Sequence, residues 1–186
     1  IFKMAKNTNH LGGHCNITHV DEGILSYVQG DLNVKTMLDI GCGPGGQIFT
    51  AQKIGIEAEG IDGLPGPAKL DVKITIHDFT ENKYEHGKKF DFGWSCEFLE
   101  HVDERFMENY MNSFQACKYI FVTYAPKGKV GHHHVNCQDQ EYWINKFSSF
   151  GFEYDEERTS KARELSTMGR NFARHTGLMF KNLNHE

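Results

Sequence analysis

Apolar residues fall along this chain in short runs broken by turn residues, alternating with stretches of helical spacing. The run Lys35–Ile40 ends at Gly41, a helix-like segment Gln47–Ile54 follows, and a second apolar run closes at Asp62. Val72–Ile76 alternates and predicts a third strand, ending in His77-Asp78-Phe79-Thr80. Phe90–Cys96 predicts a fourth strand, and Tyr119–Tyr124 a fifth that Pro126 stops. Between these two, Glu104–Cys117 spaces Phe106, Met107, Tyr110, Met111, Phe114 and Ala116 as a helix face. Gln140–Phe150 predicts a further helix, with Trp143 and Phe147 one turn apart as core residues. Phe152–Tyr154 and Gly177–Phe180 read as the last strands. Asp21–Val28 has a short helical look with Asp21 as its cap. Gly63, Pro65, Gly66 and Pro67 make a turn, and Lys83–Lys89 a charged loop. Strands alternating with helices predict an α/β domain, a mostly parallel sheet covered on both faces. No internal repeat or low-complexity linker divides the chain. Residues 31–186 read as one domain, and residues 1–30 as an N-terminal segment that folds over the site as a lid or acceptor wall.

The glycine-dense turn Gly41-Cys42-Gly43-Pro44-Gly45-Gly46 between strand and helix marks a nucleotide-type binding loop. Gly41, Gly43 and Gly46 satisfy the dinucleotide pattern, so glycine spacing alone leaves two cofactor classes open. Asp39, two positions before the first glycine, separates them. A pyrophosphate wants backbone N–H donors and no carboxylate nearby. S-adenosylmethionine has no phosphate and carries an ammonium and a sulfonium, which a carboxylate favours. A dinucleotide-dependent oxidoreductase is disfavoured on this ground.

At these residues the chain resembles the class I S-adenosylmethionine-dependent methyltransferases. Leu38-Asp39-Ile40-Gly41-Cys42-Gly43-Pro44-Gly45 is similar to their first motif, and Ala58-Glu59-Gly60-Ile61-Asp62 to their second. The resemblance implies a seven-stranded Rossmann-like sheet whose last strand is antiparallel, and S-adenosylmethionine as cofactor. It implies that Gly41, Cys42, Gly43 and Gly45 cradle the methionyl part, that Asp39 attracts the ammonium, and that Asp62, with Gly63 beside it, holds the ribose hydroxyls. Asp78 and Phe79 fall where the family contacts adenine. Cys96 and Glu97 would line the methyl end.

The acceptor side is less specific. If the chain turns helical after Cys96, then Glu97, Glu100 and His101 share one face. Two carboxylates and an imidazole there suit a divalent metal, Mg2+ or Mn2+, with His133 of His132-His133-His134 as a later ligand. This resembles the metal-dependent methyltransferases of the 3′-terminal ribose of small RNAs. The bland alternative keeps Glu100 as an ordinary helix residue and His101 as a pocket wall. Methyl transfer to a hydroxyl needs a base, and His101, His133 and His134 are the candidates. His14 and His19 stand in the N-terminal segment, and Asn136, Gln138, Tyr142 and Trp143 could line a polar, ring-shaped acceptor.

Composition narrows the picture further. The chain has 186 residues, enough for one domain with a sizeable core. Its formal charge is −5 with no basic run, which argues against a nucleic-acid partner. Five cysteines, Cys15, Cys42, Cys96, Cys117 and Cys137, form no C-x-x-C pair, which favours a reducing, cytoplasmic setting over a disulfide framework. No apolar run approaches the length of a membrane span, and no signal peptide is legible; Met4 reads as the natural start. After the fourth strand stands Ser95-Cys96-Glu97-Phe98, not the Asn/Asp-Pro-Pro-aromatic motif of base-amino methyltransferases, nor is the ribose 2′-O tetrad evident. The expectation is methylation of oxygen on a small molecule such as a sugar, with terminal ribose methylation of RNA as the alternative enzyme. A non-catalytic S-adenosylmethionine-binding protein is the alternative of another class.

Overall fold

A computed structural model describes residues 8–13, 15–64, 66 and 69–185. His14, Pro65, Pro67 and the residues before Thr8, Met4 among them, lie outside the described residues. Among the described residues seven strands form one sheet: β1 (Thr36–Ile40), β2 (Glu57–Asp62), β3 (Ile74–Ile76), β4 (Phe90–Ser95), β5 (Cys117–Val122), β6 (Phe152–Tyr154) and β7 (Leu178–Asn182). Their spatial order is β3-β2-β1-β4-β5-β7-β6. β1 to β5 pair in parallel, and β7 runs antiparallel between β5 and β6. This is the single mostly parallel sheet expected from the alternating runs.

Among the described residues six α-helices flank it: α1 (Glu22–Leu32), α2 (Gly46–Lys53), α3 (Met107–Gln115), α4 (Gln140–Ser149), α5 (Glu156–Leu165) and α6 (Phe172–Thr176). The strand period of two sends alternate residues to opposite faces. Leu38, Ile40, Ile120, Val122 and Phe180 pack with Phe114, Trp143 and Phe147 of α3 and α4 on one side. Met37, Phe92, Trp94, Phe121 and Met179 pack with Ile24, Leu25, Ile48 and Ala162 of α1, α2 and α5 on the other. Aromatic rings tie each layer: Trp94 stacks on Phe121 and Phe147 on Phe180, each pair 4.7 Å between centroids. Trp143, Phe147, Met107, Tyr110 and Phe114 are core, as their spacing predicts, whereas Phe106 is only partly buried.

Three segments differ from the sequence pattern. The helix expected from Glu104 opens as a 3-10 turn, Glu104–Phe106, capped by the Asp103 side chain on Arg105 N, and becomes α-helical at Met107. No regular helix begins after Cys96: Glu97 has φ 54°, and a single 3-10 turn spans Leu99–His101. α5 and α6 carry almost no apolar periodicity; α5 buries only Thr159 and Ala162.

Candidate functional site

The sheet reverses its winding direction between β1 and β4, and ligands of open α/β sheets bind beyond the carboxyl ends of the strands at such a point. A cavity of about 360 Å³ lies there. It is lined by Asp39, Gly41, Cys42, Gly43, Asp62, Gly63, Asp78, Phe79, Cys96, Glu97 and His101, and by His10, Leu11, Gly13 and Cys15–His19 in part. The residues expected to hold the donor therefore line one cavity, Gly45 excepted.

The glycine loop is built by backbone geometry. Gly41, Gly43 and Gly45 have φ of 74°, 51° and 85°, the left-handed region open to glycine. A Cβ on Gly41 would overlap the Phe98 ring, and one on Gly45 would lie 2.7 Å from Val72. Gly45 is thus the N-cap of α2 and packs away from the cavity. Asp62 fastens the loop to β2: its carboxylate accepts from Gly43 N and Leu64 N, both at 2.8 Å. Asp39 is buried beneath the loop. Burial, and then the charge of Asp62, hold its carboxyl well above the usual carboxylate range. The Cys42 and Cys96 thiols are likewise pushed up by burial.

The N-terminal residues pack over this wall. His10 Nε2 meets Asp78 Oδ2 at 2.7 Å, while the other Asp78 oxygen accepts from Thr80 N at 2.8 Å and Thr80 Oγ1 at 2.7 Å. Burial raises Asp78, but these bonds outweigh it and its carboxyl sits below the usual range. A Cβ on Gly63 would lie 2.8 Å from Leu11, and one on Gly12 2.9 Å from His101 Nδ1. Gly46 N donates to Thr18 Oγ1 at 3.1 Å.

The far wall differs in character. Glu97 is not on a helical face with Glu100 and His101; its left-handed backbone is held by its N–H donating to Thr123 Oγ1 at 2.8 Å. Glu100 is fully buried, and neither carboxylate oxygen has a hydrogen-bond partner among the described residues. Burial, and then the charge of Glu97, push its carboxyl well up. Burial pushes Glu97 up as well. Burial, and then the His134 ring, lower His101 to about 4, so its imidazole is neutral at physiological pH. Glu100, His101 and His134 bring ligand atoms within 4.8 Å of one another. Glu97 and His133 fall outside this group; His133 supplies its backbone carbonyl to His101 Nδ1 at 3.2 Å.

The donor set suits a divalent metal. Each ring has its Nδ1 against a carbonyl, His101 on His133 O and His134 on Lys129 O at 3.1 Å, which leaves Nε2 as the lone-pair nitrogen. A Cβ on Gly131 would overlap the far end of the His134 ring, so a larger residue there would displace that ring. Asn136 is buried behind Glu100, Trp143 is core, and Gln138 bonds Asn136; these hold the loop more than they line the cavity. Arg170 and Phe172 also line the cavity and were not legible in the pattern, because the segment before β7 has neither periodicity nor motif.

No family model and no curated protein matches the sequence. The fold is nevertheless that of class I S-adenosylmethionine-dependent methyltransferases. The chain is similar to magnesium protoporphyrin IX methyltransferase from Synechocystis PCC 6803 with bound SAM, at 14% identity and TM-score 0.57, over 84% of this chain and 74% of that one. It is similar to a sugar N-methyltransferase from Streptoalloteichus sp ATCC 53650 at 10% identity and TM-score 0.64, over 88% and 85%. It is also similar to the methyltransferase domain of bacterial CtHen1, at 15% identity and TM-score 0.55, over 86% and 97%. At such identities the likeness is one of fold. No helix among the described residues is long and apolar enough to cross a membrane.

Proposed function

We propose that this chain is an S-adenosylmethionine-dependent methyltransferase that methylates an oxygen of a small, sugar-like acceptor. The observation that carries the reading is one continuous cavity joining the glycine loop, Asp39, Asp62 and Asp78 to Glu97 and His101. The first group suits a donor with an ammonium, a ribose and an adenine. The second lies where an acceptor would meet the methyl carbon. The carbon is already electrophilic, so the protein's work is alignment, exclusion of water and removal of the acceptor proton. The packed N-terminal residues serve as the lid. Neutral His101 is a group that can accept a proton, and His133 and His134 are the other candidates. Glu100, His101 and His134 would hold Mg2+ or Mn2+, which when bound lowers the pKa of a coordinated hydroxyl.

Calorimetric titration with S-adenosylmethionine and with NAD+ tests the donor, with tight binding of the first alone expected. Binding of NAD+ alone overturns it. Release of S-adenosylhomocysteine on incubation with candidate sugars tests the transfer, and donor binding without turnover on any acceptor would favour a non-catalytic cofactor-binding protein. The metal-type cluster also favours a second reading, methylation of an RNA 3′-terminal ribose. A gel shift with a short RNA, with Mn2+ and with EDTA, separates the two, since a sugar methyltransferase gives none.

A further inference from the structure

Residues 166–171 join α5 to α6, and Arg170 together with Phe172, the first residue of α6, forms part of the cavity wall. The connection is stiffly held. Asp21, fully buried, caps α1 at Ile24 N (3.0 Å) and also accepts from Thr167 N (3.0 Å) and from Ser166 Oγ. The Arg174 guanidinium donates to Met168 O at 2.9 Å and Ser166 O at 3.0 Å. Phe172 packs its ring on His19 at 4.8 Å, and the charge of Arg170 adds to burial in lowering His19.

This wall stands at the glycine-loop end of the cavity. Asp21 N donates to Gln47 Oε1 of α2 at 2.9 Å, and Thr18 meets Gly46 at the start of the same helix. Asp78 follows β3, two strands away from β1. Arg170 is the only lysine or arginine lining the cavity among the described residues, and no described residue bonds or ion-pairs its guanidinium. The acids that line the same cavity are Asp39, Asp62, Asp78 and Glu97.

The geometry points to Arg170 as the residue that receives the carboxylate of the donor's amino-acid end. This rests on the donor reading above. The ammonium of that end suits Asp39, but the carboxylate beside it would face an acidic lining without a cation. A guanidinium at the mouth supplies one and matches a carboxylate with two parallel N–H···O bonds. Arg170 is therefore a donor-specificity residue, carried by a connection anchored on Asp21.

Titration of wild type, Arg170→Ala and Arg170→Lys with S-adenosylhomocysteine and with 5′-methylthioadenosine tests the assignment. The second probe keeps the adenosine and sulfur and lacks the amino acid. Arg170→Ala should weaken S-adenosylhomocysteine about tenfold or more, Arg170→Lys should recover part of this, and 5′-methylthioadenosine should bind all three equally. Unchanged S-adenosylhomocysteine affinity in Arg170→Ala overturns the assignment, and so does an equal loss for both probes. A wild type that binds neither probe overturns the donor site itself, and the assignment with it.

Discussion

The two walls of the cavity treat their carboxylates in opposite ways. On the glycine-loop side, Asp62 and Asp78 accept backbone and side-chain hydrogen bonds at 2.7–2.8 Å, and the loop's conformation is set by glycines at positive φ. On the far side, Glu100 is buried with no hydrogen-bond partner among the described residues, and Glu97 holds a positive φ without being glycine. A satisfied wall is preorganised: it needs no rearrangement to receive a ligand of fixed shape. An unsatisfied buried carboxylate costs stability until a proton or a metal completes it. The contrast separates a preorganised side, where we propose the donor binds, from a side that a proton or a metal would change.

Removing the fastening of the satisfied wall should have the largest effect. Asp62→Ala frees Gly43 N and Leu64 N. Hydrogen bonds to a charged group are worth about 1.5–3 kcal/mol each, so S-adenosylmethionine affinity should fall at least about 100-fold by calorimetry. Native affinity in a folded variant would remove this wall from the donor site.

The unsatisfied wall should respond in the other direction. Glu100→Gln removes the cost of holding a buried, unpartnered carboxyl in its raised, protonated form and should raise the melting temperature of metal-free protein by about 2–4 °C, for a gain of about 1 kcal/mol. Mn2+ should stabilise the wild type and leave the variant unmoved. Equal stabilisation of both would place the metal elsewhere.

The smallest effect concerns Asp39, the acid beneath the glycine loop whose carboxyl is raised. An acid raised by folding keeps its proton in the native state while the unfolded chain loses it. Stability should therefore decline as pH climbs from the unfolded value of about 3.9 through the folded one. Asp39→Asn should flatten that decline in thermal melts. S-adenosylmethionine, whose ammonium favours the charged form, should bind the wild type more tightly as pH rises. A slope unchanged by the substitution would assign it to another group.

Legibility followed the same division. The strand–glycine turn–helix–strand unit was readable because each step is local: an apolar run, residues at φ open to glycine, an acid at each strand end. α3 and α4 announced themselves by aromatic spacing. α5 and α6 did not, since they bury only small residues. The spacing of Glu97, Glu100 and His101 fits a helical face, but Glu97 instead turns to Thr123, 26 residues away, a hydrogen bond that no local pattern signals.

By itself the sequence determined the α/β class, the parallel core of the sheet, the loop and the acids that face it, because periodicity and short-range sterics suffice for these. Only the tertiary structure decided that His134 joins Glu100 and His101 while His133 offers a carbonyl, that His10 reaches Asp78 across 68 positions, and that Asp21 anchors the connection bearing Arg170. Those contacts depend on where distant loops meet at one sheet edge, and no local pattern encodes that distance.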